Sequence, residues 1–309
     1  MNTLVTIGIP CFNSERWLAQ AITSALKQSW SNCEVIVVDD GSTDGSVDVA
    51  RSFGQKVKLL ASEHQGANHA RNRILQEAQG EWIQYLDADD YLESGKITQQ
   101  FSEGNAGAEA DVIYSPVWIE TTTGTSSERE QSRTSPDLDI YAQWLAWQIP
   151  QTGGCLWRRS ALLSLGGWKD EQPCCQEHEL YLRGLQAGLR FVYTPTPHAV
   201  YRVWSEETLC RRDPRLVIAV KTRLIDVLES WMLERKLWSD VHRRTAGRAC
   251  FEMARTIAKY NFGQAVAYHQ ERQSRKLIHL EGPAAPKFYR WIYNALGFAT
   301  AERLAAISR

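Results

Sequence analysis

Short apolar segments alternate with helical segments along the first hundred residues, and this alternation restricts the fold more than any other feature. The strand-like runs, rich in aliphatic side chains, are residues 4–9, 34–38 and 82–86. The stretch between the first two runs has apolar residues at helical spacing, namely Trp17, Leu18, Ile22 and Leu26. Strands that alternate with helices favour an α/β fold, with a mostly parallel, Rossmann-like sheet and helices on both faces.

Three carboxylates follow the third strand within four residues, as Asp87-Ala-Asp89-Asp90. Carboxylates at this spacing repel each other, so they are costly at a strand end unless a cation or hydrogen-bond donors offset them. Mg²⁺ or Mn²⁺ together with a diphosphate would complete such a site, because both ions favour carboxylate and phosphate oxygens. Taken alone, the cluster also fits a solvated turn or a helix cap.

Two further polar motifs occupy comparable positions. Asp39-Asp40-Gly41 follows the second strand, where a carboxylate can accept from a base N–H or a ribose hydroxyl, or simply cap a turn. Residues 66–72 open a helix with small side chains, and Arg71 there could meet phosphate through its forked guanidinium or remain solvated. Because ligands collect beyond the carboxyl ends of parallel strands, we expect the three motifs on one rim.

In this order and spacing, the motifs resemble those of the family 2 glycosyltransferases, which have the GT-A fold. The resemblance covers the first 205 residues or so and rests on four segments, residues 7–13 (Ile-Gly-Ile-Pro-Cys-Phe-Asn), 37–44 (Val-Val-Asp-Asp-Gly-Ser-Thr-Asp), 70–72 (Ala-Arg-Asn) and 86–90 (Leu-Asp-Ala-Asp-Asp). It implies an inverting, metal-dependent enzyme that moves a sugar from a nucleotide-sugar donor to an acceptor hydroxyl.

The resemblance also implies a role for each matching residue. Pro10 and Asp40 would contact the base of the donor, and Arg71 would lie near the nucleotide. Asp87 would bind the ribose, and Asp89 would hold Mg²⁺ or Mn²⁺ against the diphosphate. A UDP-sugar is the expected donor, because a carboxylate at position 40 suits the N3–H of uracil.

The catalytic base is expected at Glu177, with Glu179 as the second choice. The family carries a Glu-Asp pair at the start of a helix after a Gly-Gly-Phe/Trp segment, and alignment on the following Leu-x-Leu-Arg places Glu177 at the Asp. The pair here is Gln176-Glu177, so the base is one methylene longer. Trp204 stands where relatives often have a His, and since an indole cannot ligate a metal, the metal site would rest on Asp89, the diphosphate and water.

Other classes of function remain open. The altered acidic pair and the missing His also fit a catalytically silent module that binds a nucleotide sugar or a glycan. A nucleotidyltransferase with a similar sheet is disfavoured, because no Gly-rich loop with Lys or Arg follows the first strand. The identity of the sugar and of the acceptor, whether glycan, lipid-linked or small molecule, depends on pocket shape and cannot be read from the sequence.

The chain is predicted to consist of a GT-A domain over residues 1–205 and an α-helical region over residues 206–309. Apolar side chains recur every three or four residues in the second part, which indicates three or four amphipathic helices. The net charge of −1 hides a division, since residues 1–204 carry −9 and residues 205–309 carry +8. The aromatic side chains of the basic part include Trp231, Trp238, Tyr289, Trp291 and Tyr293.

A basic region with such aromatics suits peripheral contact with an anionic membrane surface, whereas packing on the catalytic domain or on a second copy is the alternative. Nucleic acid is not expected as a partner. The expected location is the cytoplasm, at or near the inner face of the membrane, because the chain starts without a signal-peptide pattern and has no apolar run of about 18 residues. Seven cysteines without regular spacing fit reduced thiols there.

Overall fold

The computed structural model describes residues 3–104, 109–123, 126–204 and 213–307. The chain forms two compact units, the first made of Met1–Pro136 and Gln148–Arg212 and the second of Asp137–Trp147 and Asp213–Arg309. The predicted boundary at residues 205/206 lies outside the described residues, so it stays a prediction. The short segment Asp137–Trp147 falls in the second unit, whereas the predicted division assigned it to the first.

The first unit contains two β-sheets. Its strands are β1 (Val5–Cys11), β2 (Cys33–Asp40), β3 (Lys58–Ser62), β4 (Trp82–Tyr85), β5 (Tyr91–Leu92), β6 (Val112–Tyr114), β7 (Trp118–Thr123), β8 (Ser126–Gln131), β9 (Cys155–Arg158), β10 (Phe191–Tyr193) and β11 (Ala199–Val203). The larger sheet has the order β10-β6-β9-β4-β1-β2-β3, and the smaller sheet β5-β11-β7-β8. In the larger sheet only β9 runs antiparallel to its neighbours, which confirms the predicted α/β class with a mostly parallel sheet.

Helices cover both faces of the larger sheet. The helices up to residue 186 are α1 (Glu15–Leu26), α2 (Ser46–Arg51), α3 (Ala67–Glu77), α4 (Lys96–Glu103), α5 (Ile140–Leu145, in the second unit), α6 (Arg159–Ser164) and α7 (Gln176–Gln186). Ile7 and Ile9 of β1 share a core cluster with Leu18 of α1. Gly8 points the other way, and a Cβ there would lie 2.2 Å from Cγ2 of Ile74 in α3. Because side chains alternate along a strand, α1 and α3 cover opposite faces.

Three neighbouring strands bring the acidic motifs to one edge of the larger sheet. β1 lies between β2 and β4 and is parallel to both, with Cys11 paired to Asp39 and Gly8 paired to Tyr85. The carboxyl ends of these strands therefore meet where the strand order reverses, which is the usual ligand position in such sheets. The chain then enters β5, whose pairing with β11 brings the end of β11 beside Asp90.

Two segments of the first unit differ from what their local sequence indicates. The apolar, β-branched run at residues 111–119 predicts a single strand, but it divides between β6 in the larger sheet and β7 in the smaller sheet. Residues 121–135, rich in Thr, Ser and Glu, predict a surface loop, which is wrong in part because β7 extends to Thr123 and β8 pairs antiparallel with it. Every side chain of β8 is exposed, so the strand lacks the alternation of apolar and polar residues that marks a half-buried strand.

The second unit confirms the predicted C-terminal helices. They are α8 (Pro214–Glu234), α9 (Asp240–Ile257), α10 (Phe262–Ser274) and α11 (Lys287–Ile307). Asp213, Ser239 and Asn261 cap the first three by accepting backbone N–H groups of the first helical turn. α11 is interrupted at Gly297, where φ is 77°. Among the described residues, no helix is both long and apolar enough to cross a membrane.

A buried lysine organises the centre of the first unit. Lys96, the first residue of α4, has no exposed surface and donates to the side-chain carbonyls of Gln84 and Gln100. The amide of Gln84 donates to the carbonyl of Gly153 at 3.0 Å, and the amide of Gln100 donates to that of Gly154 at 3.0 Å. The network therefore fixes the turn that precedes β9.

Replacing Lys96 by Met should change how stability depends on pH. Burial lowers the pKa of Lys96 from 10.5 to about 7 in the folded chain, so above about pH 7 the unfolded chain binds a proton that the folded chain has released. The free energy of unfolding should then rise with pH by at most about 1.4 kcal/mol per unit, and this rise should be absent below about pH 7, where both states hold the proton.

Urea unfolding of the wild type, Lys96→Met and Lys27→Met at several values between about pH 7 and 9 measures this slope. Lys27 is exposed, so its variant is the control and should keep the wild-type slope. An unchanged slope in Lys96→Met would show that the buried amine does not titrate in this range.

Candidate active site

The ends of β1 and β2 are tied together by short hydrogen bonds. The side-chain carbonyl of Asn13 accepts from the backbone N–H of Thr43 at 2.8 Å, and the backbone N–H of Asn13 donates to the hydroxyl of Ser42 at 2.9 Å. Pro10 is buried on β1, paired with Val38 of β2. The two motifs that the resemblance predicts near the base of the donor are therefore joined at one corner of the rim.

The carboxylate of Asp40 is buried and already engaged within the protein. It accepts from the backbone N–H of Gln65 at 2.9 Å and of Gly66 at 2.8 Å, and the ring of His64 lies 2.8 Å from it. These bonds shape the loop that enters α3. The predicted contact between Asp40 and the donor's base stays a prediction, and in this geometry the carboxylate already has three protein partners.

Asp39, which the sequence analysis did not single out, has the more available carboxylate. One of its oxygens accepts from the backbone N–H of Ser42 at 3.1 Å, and the other is buried with no hydrogen-bond partner among the described residues. A buried acceptor without a donor is costly, so such an atom at a rim indicates a place for a ligand donor. The alternation of side chains along a strand could have revealed it, since Asp39 and Asp40 must face opposite ways.

Arg71 lies at the centre of the site. The side chain is buried in α3, and it donates to Asp87 at 2.8 Å and to the side-chain carbonyl of Gln176 at 3.1 Å. Its guanidinium also lies over the ring of Trp168, 4.7 Å from the centroid. Burial acts to lower the pKa of Arg71, but the carboxylates of Asp87 and Glu177 raise it above its ordinary value. A permanent cation therefore lies between two of the predicted site residues, Asp87 and Glu177.

The carboxylate cluster forms a tight turn after β4, in which the N–H of Asp90 donates to the carbonyl of Asp87 at 3.0 Å. Its three acids have different partners. Asp87 is paired with Arg71, Asp89 accepts from the indole N–H of Trp204 at 2.9 Å, and Asp90 accepts from the backbone N–H of residue 202 at 2.8 Å.

Burial and mutual repulsion raise the pKa of two of these acids. The pKa of Asp89 is raised by burial and by the charge of Asp87, and the pKa of Asp90 is raised further by burial and by both neighbours. The cluster therefore lacks positive charge, and a cation bound there would relieve the repulsion.

The residues present fit a metal that a ligand completes, rather than a metal held by the protein alone. No group of three or more His, Cys, Asp or Glu among the described residues could hold an ion. Mg²⁺ in proteins is often bound through one or two carboxylates plus substrate phosphates, and Asp89 supplies such a carboxylate. The ring of His198 is engaged elsewhere, since its Nδ1 lies 3.1 Å from the carboxylate of Glu93.

The two candidate bases have different surroundings. Glu177, in the first turn of α7, is half-buried and accepts from the hydroxyl of Thr152 at 2.8 Å. Glu179 is buried and is held by Arg183 at 2.8 Å and by Lys169 at 2.7 Å. Burial acts to raise the pKa of Glu179, but the bonds from Arg183 and Lys169 lower it below its ordinary value.

Arg183 in turn donates to the carbonyls of Leu165 at 2.6 Å and Gly167 at 2.7 Å, so Glu179 serves to anchor the Gly-Gly-Trp turn. Glu177 is also linked to the network of Lys96, because Thr152 directly precedes the two glycines whose carbonyls that network holds. Of the two acids, Glu177 is the one with few internal partners.

Two solved structures with a bound nucleotide sugar share this fold. The chain is similar to S. aureus TarS 1–349 in complex with UDP-GlcNAc, with a TM-score of 0.64 and 14% identity over 99% of this chain and 92% of that one. It is also similar to the mannosyltransferase PcManGT from Pyrobaculum calidifontis in complex with GDP-Man and Mn²⁺, with a TM-score of 0.52 and 18% identity over 97% and 86% of the two chains. At these identities the similarity shows the fold, which is that of the GT-A enzymes.

Sequence comparison then shows the family. The model of Glycosyl transferase family 2 matches residues 6–166, just over half of the chain, and the chain therefore belongs to that family. An uncharacterized glycosyltransferase of Haemophilus influenzae is 40% identical over 103 residues, which are 32% of this chain and 41% of the relative. A cholesterol galactosyltransferase of Borreliella burgdorferi is 33% identical over 118 residues, 37% of this chain and 33% of the relative. The chain thus spans well under half the length of these relatives.

Proposed function

We propose that the chain catalyses the transfer of a sugar from a nucleotide-sugar donor to an acceptor hydroxyl. The observation that carries the proposal is the position of Arg71, which links the carboxylate cluster at the end of β4 to the first turn of α7 through Asp87 and Gln176. Groups suited to a nucleoside diphosphate thus lie next to a half-buried carboxylate suited to act as a base. Family membership supports the same reaction class.

A UDP-sugar is the proposed donor. One buried oxygen of Asp39 has no hydrogen-bond partner in the part of the chain that the structure describes, and it suits the N3–H of uracil better than Asp40 does, because Asp40 is already bonded to the loop before α3. Pro10 would border the base, and Asp87 would bind the ribose while Arg71 fixes its orientation. TarS, a structural neighbour, binds UDP-GlcNAc, which agrees with a uridine nucleotide in this fold.

Glu177 is the proposed catalytic base. In a single displacement, the acceptor oxygen forms a bond to the anomeric carbon as the bond from that carbon to the diphosphate oxygen breaks, and Glu177 takes the acceptor's proton. The product then has inverted anomeric configuration, and no covalent intermediate forms. The hydrogen bond from Thr152 orients one carboxylate oxygen and leaves the other for the acceptor.

Asp89 is the proposed protein ligand for Mg²⁺ or Mn²⁺. When bound, the metal would supply Lewis-acid neutralisation of charge on the departing diphosphate. We likewise propose that the acceptor is a glycan, a lipid-linked molecule or a small molecule, and that the chain is located in the cytoplasm. We also propose that the C-terminal helices contact a membrane or a second copy of the chain. The neighbour PcManGT is in complex with GDP-Man and Mn²⁺, which agrees with a metal in this fold.

A second candidate is a catalytically silent module that binds a nucleotide sugar or a glycan. It is favoured by Trp204, whose indole N–H occupies an oxygen of Asp89. Incubation with Mn²⁺ and a panel of nucleotide sugars distinguishes the two, with product mass measured alongside. Released nucleoside diphosphate supports the transferase, binding without turnover supports the silent module, and released pyrophosphate supports a nucleotidyltransferase.

The two adjacent aspartates of β2 should respond differently to substitution by Asn. Asp39→Asn should weaken UDP binding by about tenfold or more, because an N–H₂ group would face a ligand N–H, while the unfolding temperature stays near that of the wild type. Asp40→Asn should instead lower the free energy of unfolding by about 1–3 kcal/mol, since one backbone N–H loses its acceptor. Calorimetric titration with UDP and thermal unfolding measure both effects. Weak UDP binding in Asp40→Asn alone would restore the original assignment of the base contact to Asp40.

Asp89→Ala should abolish metal-dependent turnover and weaken donor binding in the presence of Mn²⁺, because the protein's carboxylate contact with the cation is lost. Asp48→Ala, at an exposed aspartate of α2, is the control and should behave as the wild type. Nucleotide release is measured with Mn²⁺, with a chelator, and with Mn²⁺ restored. Wild-type activity in Asp89→Ala would refute the metal assignment.

Glu177→Gln keeps the size of the side chain and its bond to Thr152 but removes the basic site. Turnover should fall by about 10²-fold or more while affinity for the donor stays near the wild-type value. Glu179→Gln is the matched comparison, and we expect it to lower the unfolding temperature through weaker bonds to Arg183 and Lys169 while retaining more turnover. If Glu179→Gln is instead the variant with the larger loss in kcat, the base has been assigned to the wrong acid.

A further inference from the structure

One face of α11 in the second unit exposes large apolar side chains. Phe288 is 73% exposed and Trp291 is 68% exposed, and their rings are stacked with centroids 6.4 Å apart. Leu296, Leu304 and Ile307, further along the same helix, are exposed as well. Five large apolar groups exposed on one helix are an unusual surface for a soluble monomer, since exposed apolar residues normally occur singly.

The opposite face of the same helix is anchored in the unit's own core. Tyr289 and Ile292 are buried, and the ring of Tyr289 lies 5.7 Å from that of Phe251 in α9. Phe298, beyond the interruption at Gly297, also packs on Phe251, and the centroids of the two rings are 6.4 Å apart. The aromatic side chains of α11 therefore include a packed pair, Tyr289 and Phe298, and an exposed pair, Phe288 and Trp291, and the packed pair holds the helix in place.

The charged side chains of α11 that are accessible to solvent are all cationic. Its cations are Lys287, Arg290 and Arg303, and its single acid is Glu302. Glu302 is buried and paired with Arg255 at 2.5 Å, so it adds no negative charge to the exposed face. None of the ion pairs formed by the described residues includes Lys287 or Arg290, which flank the aromatic pair. The exposed face is thus apolar and cationic.

We propose that the face of α11 formed by Lys287, Phe288, Arg290 and Trp291 docks on an anionic lipid bilayer. A helix that lies in the bilayer interface places aromatic rings at the boundary between headgroups and acyl chains, while Lys and Arg reach the phosphates. Aromatic side chains with one apolar and one wet side are favoured at that depth. The net charge of +8 over residues 205–309 attracts the same surface at longer range.

A second copy of the chain is the less suitable occupant of this face. In a two-fold symmetric dimer the same patch meets itself, so Lys287 and Arg290 of one protomer would face the same cations of its partner. No acid on the exposed face of α11 is available to offset that repulsion. An anionic bilayer supplies the missing negative charge without requiring a complementary protein surface.

The test is sedimentation of the full chain with lipid vesicles. Vesicles of phosphatidylcholine alone are compared with vesicles that also contain phosphatidylglycerol, each at low and high salt. The wild type should bind the anionic vesicles at low salt and bind weakly to the neutral ones, with binding reduced by salt because the attraction is electrostatic. The paired substitution Phe288→Ser with Trp291→Ser, and the paired substitution Lys287→Glu with Arg290→Glu, should each reduce binding by about tenfold or more.

Leu233→Ser is the matched control, because Leu233 lies in the same unit, is 52% exposed and is not on α11. It should bind as the wild type does. Circular dichroism and nucleotide release of the variants verify that the chain remains folded. The proposal would be overturned if the wild type did not bind anionic vesicles, or if both paired variants bound them as the wild type does. It would also be overturned if light scattering showed a dimer that depends on Phe288 and Trp291 while the chain did not bind vesicles.

Discussion

The active site depends on one buried cation, Arg71. A guanidinium removed from water is stable only with partners, and Arg71 takes them from three separate parts of the chain, Asp87 after β4, Gln176 in α7 and the ring of Trp168. Removing any partner would leave a buried charge poorly compensated, so the positions of these segments are coupled. The geometry of the carboxylate cluster and that of α7, which carries Glu177, are therefore set by the same side chain.

This coupling gives a physical account of Gln176, the departure from the usual acidic pair. Arg71 already has a full anionic partner in Asp87, and the charge of Glu177 lies close enough to raise its pKa. An additional carboxylate at position 176 would crowd a third anion against the same cation and against Glu177. A glutamine supplies the needed acceptor without charge. The substitution thus preserves the geometry of α7 and removes a repulsion beside the proposed base.

The sequence predicted the fold more completely than the site. Strand and helix periods identified β1, β2, β4, α1 and the C-terminal helices, because those elements bury one face or both. The period of two residues that marks a half-buried strand is absent from β8, because its side chains are all exposed.

In the site, the sequence identified the acidic pair at residues 39 and 40. It could not show which of the two carboxylates accepts hydrogen bonds from backbone N–H groups and which remains for a ligand. That distinction depends on the loop before α3, which local patterns do not describe. The hydrogen bond from Thr152 to Glu177 joins residues 25 positions apart, so no local sequence pattern could predict it.

Charge around the cluster explains why Trp204 can stand where relatives often carry a His. Three carboxylates meet there, and the pKa values of Asp89 and Asp90 are raised by burial and by the neighbouring carboxylates, although the guanidinium group of Arg202 acts to lower them. The indole of Trp204 holds Asp89 in one orientation with a neutral donor, so it adds no charge. In the proposed reaction, the remaining negative charge would favour a cation that arrives together with the donor's diphosphate. A metal-ligating side chain in place of Trp204 would strengthen metal binding without nucleotide, whereas with Asp89 as the proposed protein ligand the metal and the nucleotide would depend on each other.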